Sequence, residues 1–400
     1  MSAFTTSAPA RQHDPLTIGA LDALTMADVA LAGASGLDIG GAHHLDAVTP
    51  AWLTETLGAD VPGAEVVSTR IDDRHDGMTN RMRLEITWND AGVAAGLPAM
   101  VFMKSTPDHP FHLQMVSVLH MAELEAKFYQ VVQPELPALA PRAHHAESYA
   151  GGRFLIVTED LPTLGHQPFW LKDTCEISHA LAVAHTLGTL HATYWESPRF
   201  DTDLAWVRPR TERFGWSWLK ATLFQTGTMF LGSEAGQALS AEARELVDTY
   251  REHQDAVYDY WETLPRTLLH GDSHFGNTYT TPTGAAGYFD WQVVFSGYGI
   301  RDLVYFVISA LSAEQEREHR DAIIDTYLAA LAAGGVIVDR AEAVGHYALF
   351  ALDGIDASMA TLAQGTYNHD LTATLRNLDC GLSILLEHGV AERIRAIAAG

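Results

Sequence analysis

Three oxygen-bearing side chains within one short stretch carry the strongest chemical signal in this sequence. Residues 268–292 read LLHGDSHFGNTYTTPTGAAGYFDWQ; Asn277 lies five residues beyond Asp272, and Asp290 eighteen beyond it. Phosphoryl transfer needs a carboxylate beside the attacking hydroxyl and oxygen donors that hold Mg²⁺ on nucleotide phosphates. Asp272 is therefore predicted to be the catalytic carboxylate, with Asn277 and Asp290 as metal ligands and His270 as a brace for the loop. The i, i+2, i+4 set His270, Asp272 and His274 also suits a transition metal, but no further ligand cluster in the sequence accompanies it.

These residues must be positioned by short elements. Leu268 and Leu269 form an apolar run into the loop. Thr278 to Thr281, the turn Pro282-Thr283-Gly284, and Gly287 to Trp291 read as a β-hairpin between Asn277 and Asp290. Downstream, Asp302 is predicted to cap an apolar helix over Leu303 to Leu311.

The segment resembles the aminoglycoside phosphotransferase and choline kinase superfamily, and within it the ecdysteroid-kinase-like phosphotransferases. VTPAWLTETLG (48–58), EAKFYQVVQPEL (125–136), LIVTEDL (155–161), LGTLHATYW (187–195) and GYGIRDLVYFV (297–307) resemble family segments in the same order. The resemblance covers about residues 45 to 390. It implies ATP and Mg²⁺ as cofactors, a hydroxylated small molecule as acceptor, and Asp302 as support for the catalytic loop from behind.

Organisation along the chain agrees. Residues 14–33 have the apolar spacing of one helix, a glycine-rich link follows, and 1–45 read as an N-terminal extension. Strands are predicted at Val66 to Ile71, Met82 to Trp88, Ala99 to Lys104, Arg142 to Tyr149 and Arg153 to Thr158, with a helix around Gln114 to Val132. After Asp160 the pattern turns to long helices. Strands followed by helices describe an α+β, two-lobed protein-kinase-like fold: a small lobe with a five-stranded antiparallel sheet plus helix over 46–160, and a mostly helical lobe over 161–400.

In the small lobe, Lys104 ends the strand MVFMK and resembles the strand lysine of kinases. Glu125 is its predicted partner, because the family spacing E-x-x-x-Y joins it to Tyr129; Glu123 is the rival. The turn Asp72 to Asn80 holds a single glycine where a phosphate loop is usually glycine-rich. Gly77 is expected to take positive φ there, with Thr79 and Asn80 donating to phosphate, and Arg74 or Arg81 offsetting the aspartates. Glu159 and Leu161 read as the hinge that meets the adenine through main-chain groups.

Composition narrows the class. Four hundred residues exceed the roughly 250–300 at which one core stops growing. No apolar run reaches about 18 residues, and the N-terminus lacks the pattern of a secretory leader. Two cysteines, Cys175 and Cys380, are too few for a disulfide framework and suit the cytoplasm. A net charge of −25 argues against nucleic acid as partner. No obligate protein partner is indicated. The acceptor is expected to be an apolar alcohol such as a steroid, terpenoid or hydroxy acid derivative, because Trp216, Trp218, Phe224 and Phe230 lie in the segment that forms the acceptor pocket in relatives. Asp353 and Asp356 fall in the second such segment. An aminoglycoside or choline-type cationic acceptor, and a kinase-fold binding protein without turnover, are the alternatives. A protein kinase is disfavoured, since only Val293 to Tyr298 separates D-W-Q from the next helix.

Overall fold

The structure, a computed structural model, describes residues 42–365 and 371–400 together with Ala30. The helix predicted within 14–33, Ala30 excepted, lies outside the described residues, as does most of the glycine-rich link. The described chain forms two compact units. One comprises 42–168 and 287–294; the other comprises 169–286, 295–365 and 371–400.

The first unit is built on an antiparallel sheet of β1 (Val66–Asp76), β2 (Asn80–Trp88), β3 (Met100–Ser105), β4 (Ala143–Tyr149) and β5 (Arg153–Glu159), in the order β1-β2-β3-β5-β4. Period-two alternation puts Met82, Leu84, Ile86 and Trp88 into the core with Val101, Met103, Leu155 and Val157. Helix α1 (Pro50–Leu57), capped by Thr49, closes this core through Leu53. Leu45 is buried in it too, so the segment just before α1 packs on the sheet.

Two sequence expectations differ from the structure here. The polar turn expected over 72–80 shrinks to Gly77-Met78-Thr79, because β1 and β2 run on through it. Cross-strand ion pairs hold the extension: Arg70 lies 2.6 Å from Glu85, and Arg83 lies 2.6 Å from Asp72. The helix expected over 114–132 is also broken. It divides into α2 (Pro110–Val118), α3 (Met121–Lys127) and a π turn over Phe128–Val132, with His120 between the first two at φ 51°.

The second unit is mostly helical. Its helices include α4 (Ile177–Tyr194), α5 (Trp216–Gly232), α6 (Ala241–Glu252), α7 (Gln254–Glu262), α8 (Ile300–Ala310), α9 (Ala313–Ala333), α10 (Arg340–Gln364), α11 (Leu371–Glu387) and α12 (Val390–Ala398). Helix α4 approaches α9 at Gly188, where a Cβ would come within 2.6 Å of the Ala330 Cβ and 2.7 Å of the Tyr327 carbonyl. Only glycine permits that spacing. Short strands position the chemistry: β6 (Thr267–Leu269), β7 (Thr278–Thr280) and β9 (Phe295–Gly297) in this unit, with β9 antiparallel to β6, and β8 (Ala286–Tyr288), whose last two residues belong to the sheet unit. The turn between β7 and β8 is closed by Gly284, at φ 85°, donating to the Thr281 carbonyl. The second hairpin strand ends at Tyr288, short of the expected Trp291.

Candidate functional site

In the helical unit, β6 delivers the chain into His270-Gly271-Asp272. The turn is held from beneath by Asp302, which is fully buried. Its carboxylate accepts from the backbone N–H of His270 at 2.6 Å and of Gly271 at 3.3 Å, and it receives Arg301 at 2.8 Å. Burial alone would raise this carboxyl. His191 at 3.7 Å and Arg301 outweigh burial and hold it well below the usual carboxylate range. The capping role expected for Asp302 is corrected: α8 begins at Ile300 with Gly299 at its N-cap, so Asp302 sits inside the first turn and serves the loop instead.

His270 is buried, and its Nδ1 accepts from the Asp272 N–H at 3.2 Å. Asn277 donates through Nδ2 to the Asp272 carbonyl at 2.9 Å and faces its Oδ2 at 3.4 Å. With Nδ2 so committed, the Asn277 Oδ1 is the atom suited to a hard cation. Tyr305 on α8 directs its hydroxyl to Asp272 Oδ1 at 3.4 Å. His274 lies 3.7 Å from the same carboxylate, which stays 28% exposed. Asp272 and Asn277 are thus brought together. Among the described residues no group of three or more His, Cys, Asp or Glu side chains has the geometry of a metal cluster, and the pairs His43-His44 and His144-His145 belong to none.

Asp290 belongs to the sheet unit, because residues 287–294 pack there. Trp291 stacks on Phe128 of the π turn with ring centroids 3.9 Å apart and planes 4° from parallel. The Tyr288 N–H donates to the Leu139 carbonyl at 2.8 Å. So anchored, Asp290 takes φ 66°, an uncommon backbone region for a residue with a Cβ. Lys104 then gathers three acceptors around Nζ: Glu125 at 2.6 Å, Asp290 at 2.5 Å and Gln292 at 3.2 Å. Arg81 adds a contact to Asp290 at 3.2 Å. Burial pushes the Glu125 carboxyl up, and Asp290 adds to that while Lys104 opposes it. Glu125 rather than Glu123 meets the lysine. Glu123 pairs with Lys127 at 2.7 Å and His120 at 3.1 Å, and those partners hold it down at about 2 despite partial burial.

The remaining predicted residues are placed as follows. Gly77 does not take positive φ; its N–H donates to Thr79 and its carbonyl meets His112 Nδ1 at 2.7 Å. Thr79 is buried, and its Oγ1 accepts from Arg81 at 3.4 Å. Asn80 is buried and donates to Asp108 at 2.9 Å. The Gly77 N–H and the Asn80 amide thus have internal acceptors, whereas the Thr79 hydroxyl accepts from Arg81. Of the arginines expected to offset nearby aspartates, Arg74 pairs with Asp46 and Asp76, while Arg81 goes to Asp290. Glu159 ends β5 and accepts from the Arg142 N–H at 3.1 Å. Leu161 is buried just beyond Asp160, whose carboxylate holds Arg83 at 2.7 Å. Gln292 and Tyr305 were not singled out in the sequence. Their signals were their places in D-W-Q and in the apolar run after Asp302.

An arginine cluster, also missed, lies in the helical unit. Arg210 and Arg301 share Asp353: Arg210 binds its Oδ1, and Arg301 binds its Oδ2 at 2.5 Å. Arg210 lies 5.5 Å from the Trp216 ring centroid and 5.6 Å from that of Tyr258. Arg301 lies over Tyr305 at 4.3 Å, and Arg213 over Phe295 at 4.9 Å. Asp356 accepts from Tyr250 at 2.7 Å, and burial pushes its carboxyl up to about 7. Of the aromatic residues expected near an acceptor, Trp216 and Phe230 are core, whereas Trp218 and Phe224 are exposed.

Comparison with known proteins places these observations. Residues 78–334 match the model of the ecdysteroid kinase-like family. No curated protein matches the chain by sequence. Among solved structures it is similar to one assigned as an aminoglycoside phosphotransferase from Ralstonia eutropha, at 12% identity over 88% of this chain and 99% of that one, TM-score 0.50. A choline kinase from Streptococcus pneumoniae matches at 12% identity over 86% and 99%, TM-score 0.49. A choline/ethanolamine kinase family protein from Mesorhizobium loti matches at 14% over 87% and 98%, TM-score 0.48. The first of these likenesses supports the kinase-like α+β fold and speaks to the fold alone. No helix among the described residues is long and apolar enough to cross a membrane.

Proposed function

This chain belongs to the ecdysteroid kinase-like family of small-molecule phosphotransferases, and from that premise we propose that it moves the terminal phosphoryl group of ATP, with Mg²⁺, onto a hydroxyl of a small molecule. The observation that carries this reading is the loop in which buried Asp302 fixes the backbone of His270 and Gly271 while Asn277 ties down Asp272. Asp272 is the positioning carboxylate: it accepts the acceptor's O–H as the O–P bond forms and the bond to the departing nucleoside diphosphate breaks. Because such transition states are loose, orientation matters more than base strength. Tyr305 helps fix that carboxylate.

Asn277 and Asp290 are the proposed Mg²⁺ ligands, and their donor set of one amide and one carboxylate oxygen fits a hard cation. When bound, the ion neutralises charge on the phosphate oxygens. Lys104, oriented by Glu125, is the proposed phosphate contact, and Glu159 to Leu161 the adenine-side backbone. Gly77 and Asn80 enter this reading only if they exchange their internal acceptors for phosphate oxygens, and Thr79 by donating its hydroxyl proton.

The acceptor is proposed to be an uncharged or anionic hydroxylated molecule of the steroid, terpenoid or hydroxy acid kind. Asp353 is spent on two arginines and Asp356 on Tyr250, so neither of these two described carboxylates is free for a cationic acceptor. ATP consumption over sterols, terpenols, hydroxy acids, choline analogues and aminoglycosides tests this. Asp272→Ala should lower kcat about 10²–10⁴-fold while ATP still binds. A normal kcat in that variant removes the role, and turnover with no acceptor in the panel favours a binding protein.

A further inference from the structure

Three arginines crowd Phe295 in the helical unit, and among the described residues only two of them have counterions. Arg210 and Arg301 divide the two oxygens of Asp353 between them. Asp302 serves Arg301 and the His270 and Gly271 amides. Arg213 is 8% exposed, yet its guanidinium has no hydrogen bond or ion pair among the described residues. It lies over the face of Phe295, 4.9 Å from the ring centroid. Burial, together with the charges of Arg210 and Arg301, pulls it down to about 9, and Asp353 and Asp272 act the other way. It is therefore still a cation near neutrality, mostly buried and without an ion-pair partner among the described residues.

Leaving a buried charge without a partner is strongly unfavourable, and folded proteins keep such a group chiefly where a ligand completes it. Asp356 does not fill the gap. Its carboxyl is held up to about 7 by burial and is occupied by Tyr250. The position of Arg213 is specific as well. Asp272 is one of the carboxylates close enough to act on it, and Arg301, Tyr305 and Asp272 form a chain of contacts alongside. A guanidinium offers paired N–H donors in a plane, the geometry that carboxylate oxygens match.

We propose that Arg213 seats an anionic group of the acceptor, so that the hydroxyl presented to Asp272 belongs to a hydroxylated carboxylate. This rests on the phosphotransferase reading above and narrows its acceptor class. Phe295 supplies the apolar floor beneath the ion pair, and Arg210 and Arg301, which share the single charge of Asp353, leave the surroundings favourable to an anion.

Matched acceptors test it on the full chain: cholate against methyl cholate, and an ω-hydroxy fatty acid against the corresponding diol. The acid of each pair should show kcat/KM about ten- to a hundredfold higher, mainly through KM. Arg213→Met should bring that ratio to about one, and Arg213→Lys should restore part of it. Equal use of acid and neutral partner by the wild type, or an undiminished preference in Arg213→Met, overturns the proposal. So does weakened ATP binding in Arg213→Met with the acid preference intact, since the guanidinium then serves nucleotide phosphate.

Calorimetric titration of the nucleotide-free protein with cholate and the ω-hydroxy acid separates this from the parent reading. Binding that is lost in Arg213→Met supports the anion seat even if no acceptor is ever phosphorylated. Absence of binding by the wild type to both acids overturns it, whatever the turnover panel shows.

Discussion

The sheet unit and the helical unit each bury a knot of charge, and the two are balanced differently. Around Lys104 the carboxylates of Glu125 and Asp290 and the amide of Gln292 satisfy the ammonium, and Arg81 shares Asp290. Around Phe295 three guanidinia meet Asp353 and a committed Asp302, and among the described residues one guanidinium is left over. A saturated cluster is prepared to hold its own shape, and an incoming phosphate must compete with ligands already present. An unsaturated cluster stores an unfavourable interaction that a suitable anion relieves. The contrast fits a shape-holding role for one knot and, on the proposal above, recognition for the other.

The largest way to break the comparison is Arg301→Met. It leaves Asp353 with Arg210 alone and removes the cation beside Asp302, so a loss of about 3–5 kcal/mol in urea denaturation is expected. Little change would mean that the helical cluster is not held by ion pairs. Glu125→Gln disturbs the saturated knot more gently. The KM for ATP should rise about tenfold, the worth of one charge-assisted hydrogen bond, with acceptor KM largely unmoved. An unchanged ATP KM argues that Lys104 needs no orienting partner.

Arg213→Met sharpens the contrast by its sign. With no internal partner to lose, the ligand-free protein should unfold at the same urea concentration or be more stable by about 1 kcal/mol, opposite to Arg301→Met. A clear loss of stability would reveal a partner. The smallest effect concerns Asp356. Its folded carboxyl is raised to about 7 from an ordinary value of 3.8, so between those limits the folded state binds more protons than the unfolded one. Stability should therefore fall as pH rises through that window, and Asp356→Asn should flatten the fall in urea midpoints measured against pH.

Much of this was legible because it is local. The separations of Asp272, Asn277 and Asp290 are written along the chain, and the alternation of Met82, Leu84, Ile86 and Trp88 announces a strand with one buried face. What escaped depends on distant partners. The 72–80 turn looked long because its charges read as polar linker, and only the pairing of Arg70 with Glu85 and of Arg83 with Asp72 shows them to be strand. The break at His120 has no local breaker such as proline to mark it. In WVRPRTERFGW the arginines are indistinguishable by type. Which of them lacks a counterion is settled by Asp353, well over a hundred positions away.

The backbone at Asp290 has a consequence of its own. A φ of 66° is readily taken by glycine, tolerated by asparagine and aspartate, and resisted by most other residues. Replacement by Asn therefore removes a charge and little else, whereas Ala or Glu disturbs the main chain and the side chain together. The choice of residue at this position is biased by geometry before any demand of chemistry is applied, and aspartate is a favoured residue there that also carries a negative charge.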